Sequence, residues 1–444
     1  MKADRNQALE PREVIDALAS HRLQIAPTRF VLDWEESRGS FLVDKVTGRR
    51  YLDLFTFYAS NPVGMNHPVL DDPRFDEAIR RVSRFKPSNP DIYSVEFAEF
   101  VETFARVALP DAFSGLFFVD GGALAVENAL KAAFDWKVRK NLAAGLGERG
   151  QKVVHFRQAF HGRSGYTLSL TNTHDPRKHQ YFPKFDWPRL ENPKLRFPLD
   201  DHSLAAVAEA EARVVGELER LALEQGPDLA AIIIEPIQGE GGDNHFRPEF
   251  LAELRRIADE HEMMLIFDEV QTGLGLTGSW WAFEQLGVVP DLLVFGKKSQ
   301  ICGFASTDRI DEVENVFTVP SRISSTFGGN VVDMVRATWF LRIIEEEGLV
   351  SNAQDVGAAI LSGLESLASR FPQISNVRGR GLMIAFDLPT SAERDRFRAT
   401  MLELGCFILP SGEQSIRFRP QLGLTRDEGE MALDLLEQAI HALF

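Results

Sequence analysis

Three short apolar runs, each ending in a charged residue, constrain the fold more than any other feature of this sequence. The runs are LAAIIIEP (229–236), MMLIFDE (263–269) and DLLVFGK (291–297). Each is continuously apolar rather than alternating, which is typical of strands buried on both faces of a parallel sheet. Helical patterns separate the runs, among them PEFLAELRRIADEHE (248–262). The sequence therefore predicts an α/β fold whose mostly parallel sheet is covered by helices on both faces.

Further apolar runs extend this prediction along the chain. GLFFVD (115–120) and KVVHF (152–156) are candidate strands of the same sheet. From about Val331, a long helical pattern, VVDMVRATWFLRIIEEEG, leads into a C-terminal segment with strand patterns at GLMIAFDL and SIRFRP. We predict three segments: residues 1–60 as the N-terminal part of a small domain, 61–330 as a large α/β domain, and 331–444 as the C-terminal α+β part of the small domain.

The composition restricts the partners and the environment. A formal net charge of −16 disfavours nucleic acid and anionic membranes as partners. No run approaches the length of a membrane span, and the opening MKADRNQALEPREV has no apolar signal core. The two cysteines, Cys302 and Cys406, suggest a reducing compartment without a disulfide framework. We expect a cytoplasmic protein that binds neither nucleic acid nor membrane.

The charged residues that end the three runs are Glu235, Asp268 and Lys297. In open α/β sheets, ligands bind beyond the carboxyl ends of the strands, so these side chains can converge on one crevice. Each residue by itself is equally well explained as a solvated strand end. Together, an acid and a lysine of adjustable pKa suggest a carbonyl-bearing cofactor that forms a Schiff base.

A glycine pair indicates where a phosphate would bind. Gly121 and Gly122 lie between the run GLFFVD and a helical pattern. The unpaired amides and the dipole of a helix N-terminus attract anions, and glycine permits close approach. A phosphate site, an acid and a lysine together describe pyridoxal 5′-phosphate.

Other kinds of site have weaker support. GLGLTG (273–278) matches the dinucleotide fingerprint G-x-G-x-x-G, but DEVQT separates it from the preceding strand and GSWW is a poor helix start. We expect no metal site, because the histidines form no H-E-x-x-H and the cysteines no C-x-x-C. A non-enzymatic protein that binds pyridoxal phosphate remains open.

Longer blocks of the sequence resemble a known family. LIFDEVQTGLGLTGSWWAFEQLGVVPDLLVFGKK (265–298), EPIQGEGG, FHGRSG and STFGGN are similar to landmarks of the class III pyridoxal-phosphate aminotransferases of fold type I. The similarity spans nearly the whole chain. Within the family, GGALAVENALKAAFDWK, GEGGDNHF, FGKKSQICG and RFRP are most similar to the lysine 6-aminotransferases.

The resemblance implies a reaction and an assembly. It implies transfer of the ε-amino group of L-lysine to 2-oxoglutarate, giving 2-aminoadipate 6-semialdehyde and glutamate. It also implies a homodimer with active sites at the subunit interface. Ornithine, 4-aminobutyrate and N-acetylornithine remain alternative amino donors, and an aminomutase on the same fold remains a further alternative.

The resemblance assigns covalent attachment of the cofactor to Lys297, with Lys298 as the competing candidate. Neighbours on an extended segment point to opposite sides, so only one of the two would face the cofactor. Once free, the Lys297 amine would transfer a proton as general base and acid. Asp268 would bind the protonated pyridine nitrogen.

The resemblance implies further contacts to the cofactor. Gln271 would hydrogen-bond the ring hydroxyl, while Val270 and Phe160 would cover the two ring faces. The phosphate would be bound by the backbone amides of Gly122 and Ala123 and by the hydroxyl of Thr326 from the partner subunit.

Substrate recognition is also carried over from the family. Arg163 would bind the distal carboxylate, for which a guanidinium is well suited. Arg417 would bind the α-carboxylate of 2-oxoglutarate, with Arg419 in reserve. Glu240 would pair with the arginine in one half-reaction and swing away in the other.

Three polar residues complete the predicted site. Asn61 and Ser60 would line the substrate entrance. Ser324 stands where lysine aminotransferases commonly have asparagine, and the phosphate loop reads Asp-Gly-Gly-Ala (120–123), with Gly121 before Gly-Ala where many relatives have serine or threonine. These two departures bear on the contacts to substrate and phosphate rather than on the chemistry.

Overall fold

A seven-stranded sheet forms the centre of the protein, in a computed structural model that describes residues 9–444. In spatial order its strands are Gly115–Val119, Cys302–Ser306, Leu292–Phe295, Met264–Asp268, Leu229–Ile234, Lys152–Phe156 and Arg189–Leu190. Neighbouring strands are parallel except where Cys302–Ser306 takes part, and that strand is antiparallel to both of its neighbours. The predicted α/β class and the mostly parallel sheet are confirmed.

Two strands of this sheet were not predicted from the sequence. Cys302–Ser306 returns along Leu292–Phe295 after a single turn, and Arg189–Leu190 is an edge strand of only two residues. A short strand containing glycine and serine carries little apolar signal, so the preceding strand and turn determine its place.

Helices cover the sheet and connect its strands. The α-helices in the described part of the chain are Val14–Ser20, Thr56–Ala59, Pro73–Val82, Val95–Val107, Gly122–Ala143, Gly165–Leu170, Asp201–Gln225, Pro248–Glu260, Ala282–Leu286, Val331–Glu346, Leu349–Arg370, Ser391–Leu404 and Arg426–Leu443. Several begin where the sequence has a capping residue: Ser94 accepts a hydrogen bond from the Phe97 amide, and Pro248 occupies the first turn of its helix. Short 3₁₀ turns occur at Pro11–Glu13, Pro68–Asp71, Pro176–Lys178, Gly226–Asp228, Lys297–Ser299 and Asp308–Glu312.

Both faces of the central strands are buried. Ile266 of the strand Met264–Asp268 belongs to an apolar cluster with the helix Gly122–Ala143. Its neighbour Leu265 belongs to the cluster on the other face, with the helix Pro248–Glu260. Successive strand residues point to opposite faces, so burial of both explains why the runs are continuously apolar.

A second group of sheets contains residues from both ends of the chain. A four-stranded antiparallel sheet has the order Ser375–Arg380, Met383–Asp387, Ser415–Phe418, Leu409–Ser411. A three-stranded sheet has the order Phe41–Val43, Arg50–Asp53, Cys406–Phe407. The remaining pair is Ile237–Gln238 with Asn244–His245. Pairing of Cys406 with Leu52 joins the N-terminal and C-terminal segments. The segment boundaries at 60 and 330 stay a prediction, and residues 1–8 of the first segment lie outside the described residues.

None of the helices within residues 9–444 combines the length and the hydropathy needed to cross a membrane.

Candidate functional site

A cavity of about 550 Å³ lies beyond the carboxyl ends of three central strands. Its wall contains Glu235, Asp268 and Lys297, which follow or end the strands Leu229–Ile234, Met264–Asp268 and Leu292–Phe295. The other predicted residues on the wall are Ser60, Gly122, Ala123, Phe160, Arg163, Val270 and Gln271. Segments far apart in the sequence therefore meet in one place at the edge of the sheet where parallel folds bind ligands.

The two adjacent lysines have different surroundings. Lys297–Ser299 form a 3₁₀ turn directly after the strand, and Lys297 has a φ of 54°. Lys297 lines the cavity, whereas the Lys298 Nζ donates a hydrogen bond of 3.1 Å to the Ala59 carbonyl. The predicted extended geometry is wrong: a tight turn, rather than the pleat of a strand, directs the two side chains apart. A Cβ at Gly296 would lie 2.9 Å from the Cys302 sulfur, so the position before Lys297 has no room for a side chain.

The Lys297 amine is adapted to lose its proton. Burial and the neighbouring charge of Arg417 lower the pKa of Lys297 to about 8, although Asp268 opposes this shift. An amine with this pKa is partly neutral near physiological pH, as a nucleophile or a general base must be.

Asp268 is held in place by a histidine that the sequence analysis did not select. The His161 Nδ1 lies 2.8 Å from the Asp268 Oδ2, and the Asp268 Oδ1 accepts a hydrogen bond from the Val270 amide at 3.1 Å. Both side chains are buried. His161 lies between Phe160 and Arg163 in FHGRSG, and that position was the only sequence signal for it.

Glu235 connects two loops of the site. Its carboxylate accepts hydrogen bonds from the Phe160 amide at 2.8 Å and from the Gly239 amide at 3.1 Å. Burial raises the pKa of Glu235 to about 7. The contact fixes the backbone of Phe160, which was predicted to cover one face of the cofactor.

The helix Gly122–Ala143 begins at the cavity wall. Gly121 has a φ of 107°, which a residue with a side chain rarely adopts. No side chain caps this helix, so its first amides stay available. A Cβ at Gly122 would lie 3.1 Å from Val270, so glycine also allows these two parts of the wall to approach.

Gln271 is oriented by the two predicted arginines. Its Oε1 accepts hydrogen bonds from the Arg417 Nη1 at 3.2 Å and from the Arg419 Nε at 2.9 Å. Because the oxygen is engaged there, the amide NH₂ is the group that Gln271 offers to a ligand in the cavity.

The two arginines differ in their remaining contacts. Arg419 is completely buried and also bonds the Phe418 carbonyl and the Asp243 carboxylate. Arg417 pairs with Glu240 at 2.5 Å, and its Nε is a buried donor without a partner among the described residues. Every nitrogen of Arg419 is occupied, so Arg417 is the better candidate for binding a substrate carboxylate.

Glu240 is ionised and shared between two cations. Its Oε2 bonds Arg417 and its Oε1 bonds Lys178. Burial opposes ionisation of Glu240, but Arg417 and Lys178 outweigh that effect and hold its pKa below the usual value. A carboxylate held between two cations can exchange partners without losing its charge.

Besides Glu240, Arg417 and Arg419, three predicted residues are not on the cavity wall: Asn61, Ser324 and Thr326. The Asn61 amide donates to the sulfur of Met65 at 3.6 Å, and its position at the substrate entrance stays a prediction. Ser324 and Thr326 are exposed on this chain. The predicted role of Thr326 requires a partner subunit, and the roles of both residues stay predictions.

The dinucleotide-binding alternative finds little support in the geometry. Residues 273–278 form turns, and the next helix starts only at Ala282, so the dinucleotide fingerprint opens no helix. Within residues 9–444, no group of three His, Cys, Asp or Glu residues is arranged to hold a metal ion.

The donor set of the cavity fits pyridoxal 5′-phosphate. Lys297 offers an amine for the carbonyl, Asp268 a carboxylate for the ring nitrogen, and the amides at Gly122 and Ala123 an anion site for the phosphate. Val270 and Phe160 provide apolar surface for the ring.

Comparisons with known proteins agree with this geometry. Residues 24–440 match the family model described as aminotransferase class-III. The chain is 53% identical to the L-lysine-epsilon aminotransferase of Mycobacterium tuberculosis over 415 residues, which covers 92% of this chain and 91% of that protein. It is 50% identical to the L-lysine-epsilon aminotransferase of Amycolatopsis lactamdurans over 438 residues, covering 97% and 96%. The structure of the lysine aminotransferase from M. tuberculosis superimposes with a TM-score of 0.96 at 50% sequence identity, covering 98% of this chain and 100% of that one. The family match over most of the chain and a cavity suited to the cofactor lead to one conclusion: this protein belongs to the class III aminotransferases, a family of pyridoxal-phosphate-dependent enzymes.

Proposed function

We propose that this protein binds pyridoxal 5′-phosphate in the cavity around Lys297 and transfers the ε-amino group of L-lysine to 2-oxoglutarate. The main support is the Arg417–Glu240 ion pair beside the cavity, in a chain that also has Arg163 on the cavity wall. Arg163 is available to a substrate carboxylate, whereas Arg417 is paired with the carboxylate of Glu240. An enzyme that accepts an ω-amine and a dicarboxylate in turn needs this difference.

Arg163 accounts for the orientation of lysine. Its Nε donates to the Lys178 carbonyl at 3.2 Å, which leaves the terminal nitrogens of the guanidinium for a carboxylate. Lysine anchored there by its α-carboxylate would present its ε-amine to the reacting centre. The pair between Glu240 and Arg417 would meanwhile remove a positive charge that would repel the ammonium group.

2-Oxoglutarate has a second carboxylate and needs a second cation. The distal carboxylate of 2-oxoglutarate would bind Arg163, where the α-carboxylate of lysine would also bind. The α-carboxylate of 2-oxoglutarate would bind Arg417. For this, Glu240 must release Arg417, and the otherwise unpaired Nε of Arg417 would gain a partner.

Bound pyridoxal phosphate supplies a carbonyl that condenses with amines and a ring that accepts electrons from the reacting carbon. Lys297 would attach to the cofactor between turnovers and, when released, move the proton at the reacting carbon. Asp268, oriented by His161, would keep a proton on the ring nitrogen. Gln271 would donate its amide hydrogen to the ring oxygen, since its own oxygen is held by two arginines.

The proposed active unit is a homodimer. Thr326 and Ser324 are exposed on this chain, so each would serve the cavity of the partner subunit. Thr326 would add a hydroxyl to the phosphate site and Ser324 a polar contact to the substrate.

A panel of single half-reactions tests the proposal. The cofactor-loaded enzyme is mixed separately with lysine, ornithine, 4-aminobutyrate and N-acetylornithine, and conversion of the cofactor to its amino form is followed by absorbance. We expect lysine to be preferred, with nitrogen lost from its ε-position. Preference for another ω-amine would identify a different ω-aminotransferase, and loss of the α-nitrogen of lysine would contradict the proposal.

A further inference from the structure

Lys178 contacts both arginine systems that the proposed function uses. It ends the 3₁₀ turn Pro176–Lys178, and its backbone carbonyl accepts the hydrogen bond of 3.2 Å from Arg163. Its side-chain nitrogen pairs with the Glu240 Oε1, while the Glu240 Oε2 pairs with Arg417 at 2.5 Å. The carboxylate of Glu240 is therefore held from two sides.

These contacts are shielded from water to different degrees. The side chain of Arg417 is 3% exposed, that of Glu240 22% and that of Lys178 30%. Lys178 is thus the cation nearer to solvent, at the outer end of a row of three charges. A carboxylate that is largely shielded from water is costly to leave without a partner, so a second cation beside Glu240 favours its release from Arg417.

Other charges near this row are already paired. A neighbouring cavity of about 410 Å³ is lined by Lys178 and Glu240 and also by Arg177 and Arg394. Arg177 pairs with Asp175, and Arg394 pairs with its chain neighbour. Within the described residues, Lys178 and Arg417 are the cations that form ion pairs with Glu240.

We propose that Lys178 is a positioning residue that holds Glu240 when Glu240 leaves Arg417, and so opens Arg417 for the α-carboxylate of 2-oxoglutarate. The inference rests on the proposed function, in which Glu240 covers Arg417 while lysine is bound. No bond is made or broken by Lys178, which acts through Glu240 alone.

Glu240 has a different number of cationic partners in the two states. In the closed state Glu240 has two cations, and in the open state it has Lys178 alone. Loss of Lys178 would leave the closed state with one partner and the open state with none. Removing this side chain therefore disfavours opening, and the cost falls on dicarboxylate ligands rather than on lysine.

The test uses Lys178→Met in the full-length, cofactor-loaded protein. Methionine preserves the length of the side chain and leaves the backbone carbonyl that binds Arg163. Lys178→Arg restores the charge. The matched control is Lys184→Met, because Lys184 is an exposed lysine in the same segment that forms no ion pair within the described residues. Melting temperatures of all variants check that the proteins are folded.

Two measurements separate positioning from general damage. Single half-reactions give the concentration dependence for lysine with the aldehyde form and for 2-oxoglutarate with the amino form of the enzyme. Calorimetry gives the dissociation constant of glutarate, an unreactive dicarboxylate that also needs Arg417 to be open. For Lys178→Met, we expect the half-saturating concentration of 2-oxoglutarate and the dissociation constant of glutarate to rise roughly fivefold to tenfold. The lysine half-reaction should be unchanged, and Lys178→Arg should be close to wild type.

Each outcome has one meaning. Unchanged binding of 2-oxoglutarate and glutarate in Lys178→Met would overturn the inference, and so would an equal loss in the lysine and 2-oxoglutarate half-reactions. Failure of the wild-type enzyme to react with lysine would instead contradict the proposed function. Glutarate binding would still report on Lys178 in that case, because it does not depend on the amino donor.

Discussion

The side-chain nitrogen of Lys298 lies 3.1 Å from the carbonyl oxygen of Ala59, inside the protein, while the adjacent Lys297 lines the cavity. Ala59 ends the short helical segment Thr56–Ala59, whose residues all have positive φ values between 40° and 69°. Burial holds the pKa of Lys298 well below its usual value, and its nitrogen donates to the backbone of this segment. Two neighbouring lysines therefore have two different environments: Lys297 faces the cavity and Lys298 bonds the backbone of a strained segment.

The first prediction concerns the attachment site. Borohydride reduction of the loaded enzyme followed by peptide mapping should find the cofactor on Lys297. Lys297→Ala should lose the covalent bond and nearly all turnover, by roughly four orders of magnitude or more. Lys298→Met should keep the covalent bond but lose roughly 1 kcal/mol of stability, because the Ala59 carbonyl would lack its partner. A reduced cofactor on Lys298 would contradict the assignment.

The second prediction concerns pH. The pKa of Lys297 is lowered to about 8, and only the neutral amine attacks a carbonyl. The rate at which cofactor-free enzyme takes up pyridoxal phosphate should therefore rise as pH increases toward 8 and level off above it. Arg417→Met removes one of the positive charges that lower this pKa, so the profile should move to higher pH. Stopped-flow absorbance between pH 6 and about 10 checks both statements; a pH-independent rate would contradict them.

The third prediction concerns recognition of the distal carboxylate. Arg163→Met should weaken use of lysine by roughly a hundredfold, mainly by raising KM, because a charge-assisted contact to the carboxylate is lost. Hexylamine carries no carboxylate and provides the control substrate: its weak reaction should be affected much less. The comparison is made as kcat/KM for both amines with both enzymes. Equal losses for the two amines would indicate damage to the cofactor site instead.

The fourth prediction separates Arg417 from Arg419. Arg419 is completely buried against the Asp243 carboxylate, so Arg419→Met should leave a buried charge uncompensated and cost about 3 kcal/mol of stability. Arg417→Met should mainly weaken binding of 2-oxoglutarate, since Glu240 would keep Lys178 as a partner. Urea unfolding and the 2-oxoglutarate half-reaction, measured for both variants, test the division. If Arg417→Met lowers the free energy of unfolding strongly while Arg419→Met leaves it unchanged, the two roles are reversed.

The sequence alone predicted the class of the fold, which the structure confirms, and it pointed to side chains that the structure brings together on one cavity wall. Strands that are apolar on both faces are buried only in a sheet covered on both sides, so the three continuous apolar runs predicted buried strands. The charged residues that follow them, Glu235, Asp268 and Lys297, indicated the carboxyl edge of that sheet. The family resemblance supplied the remaining site residues, because long blocks of sequence determine local structure and register together.

The tertiary structure decided which contacts these residues make. The 3₁₀ turn at Lys297 separates the two lysines, and His161 meets Asp268 across 107 positions of sequence. Lys178 reaches Glu240 from 62 positions away, in a segment with no recognisable motif. Periodicity and spacing describe neighbours along one helix or strand, whereas these contacts depend on how separate loops fold over the same edge of the sheet. For that reason the sequence could predict the candidate reacting groups, and only the fold could show which residues contact them.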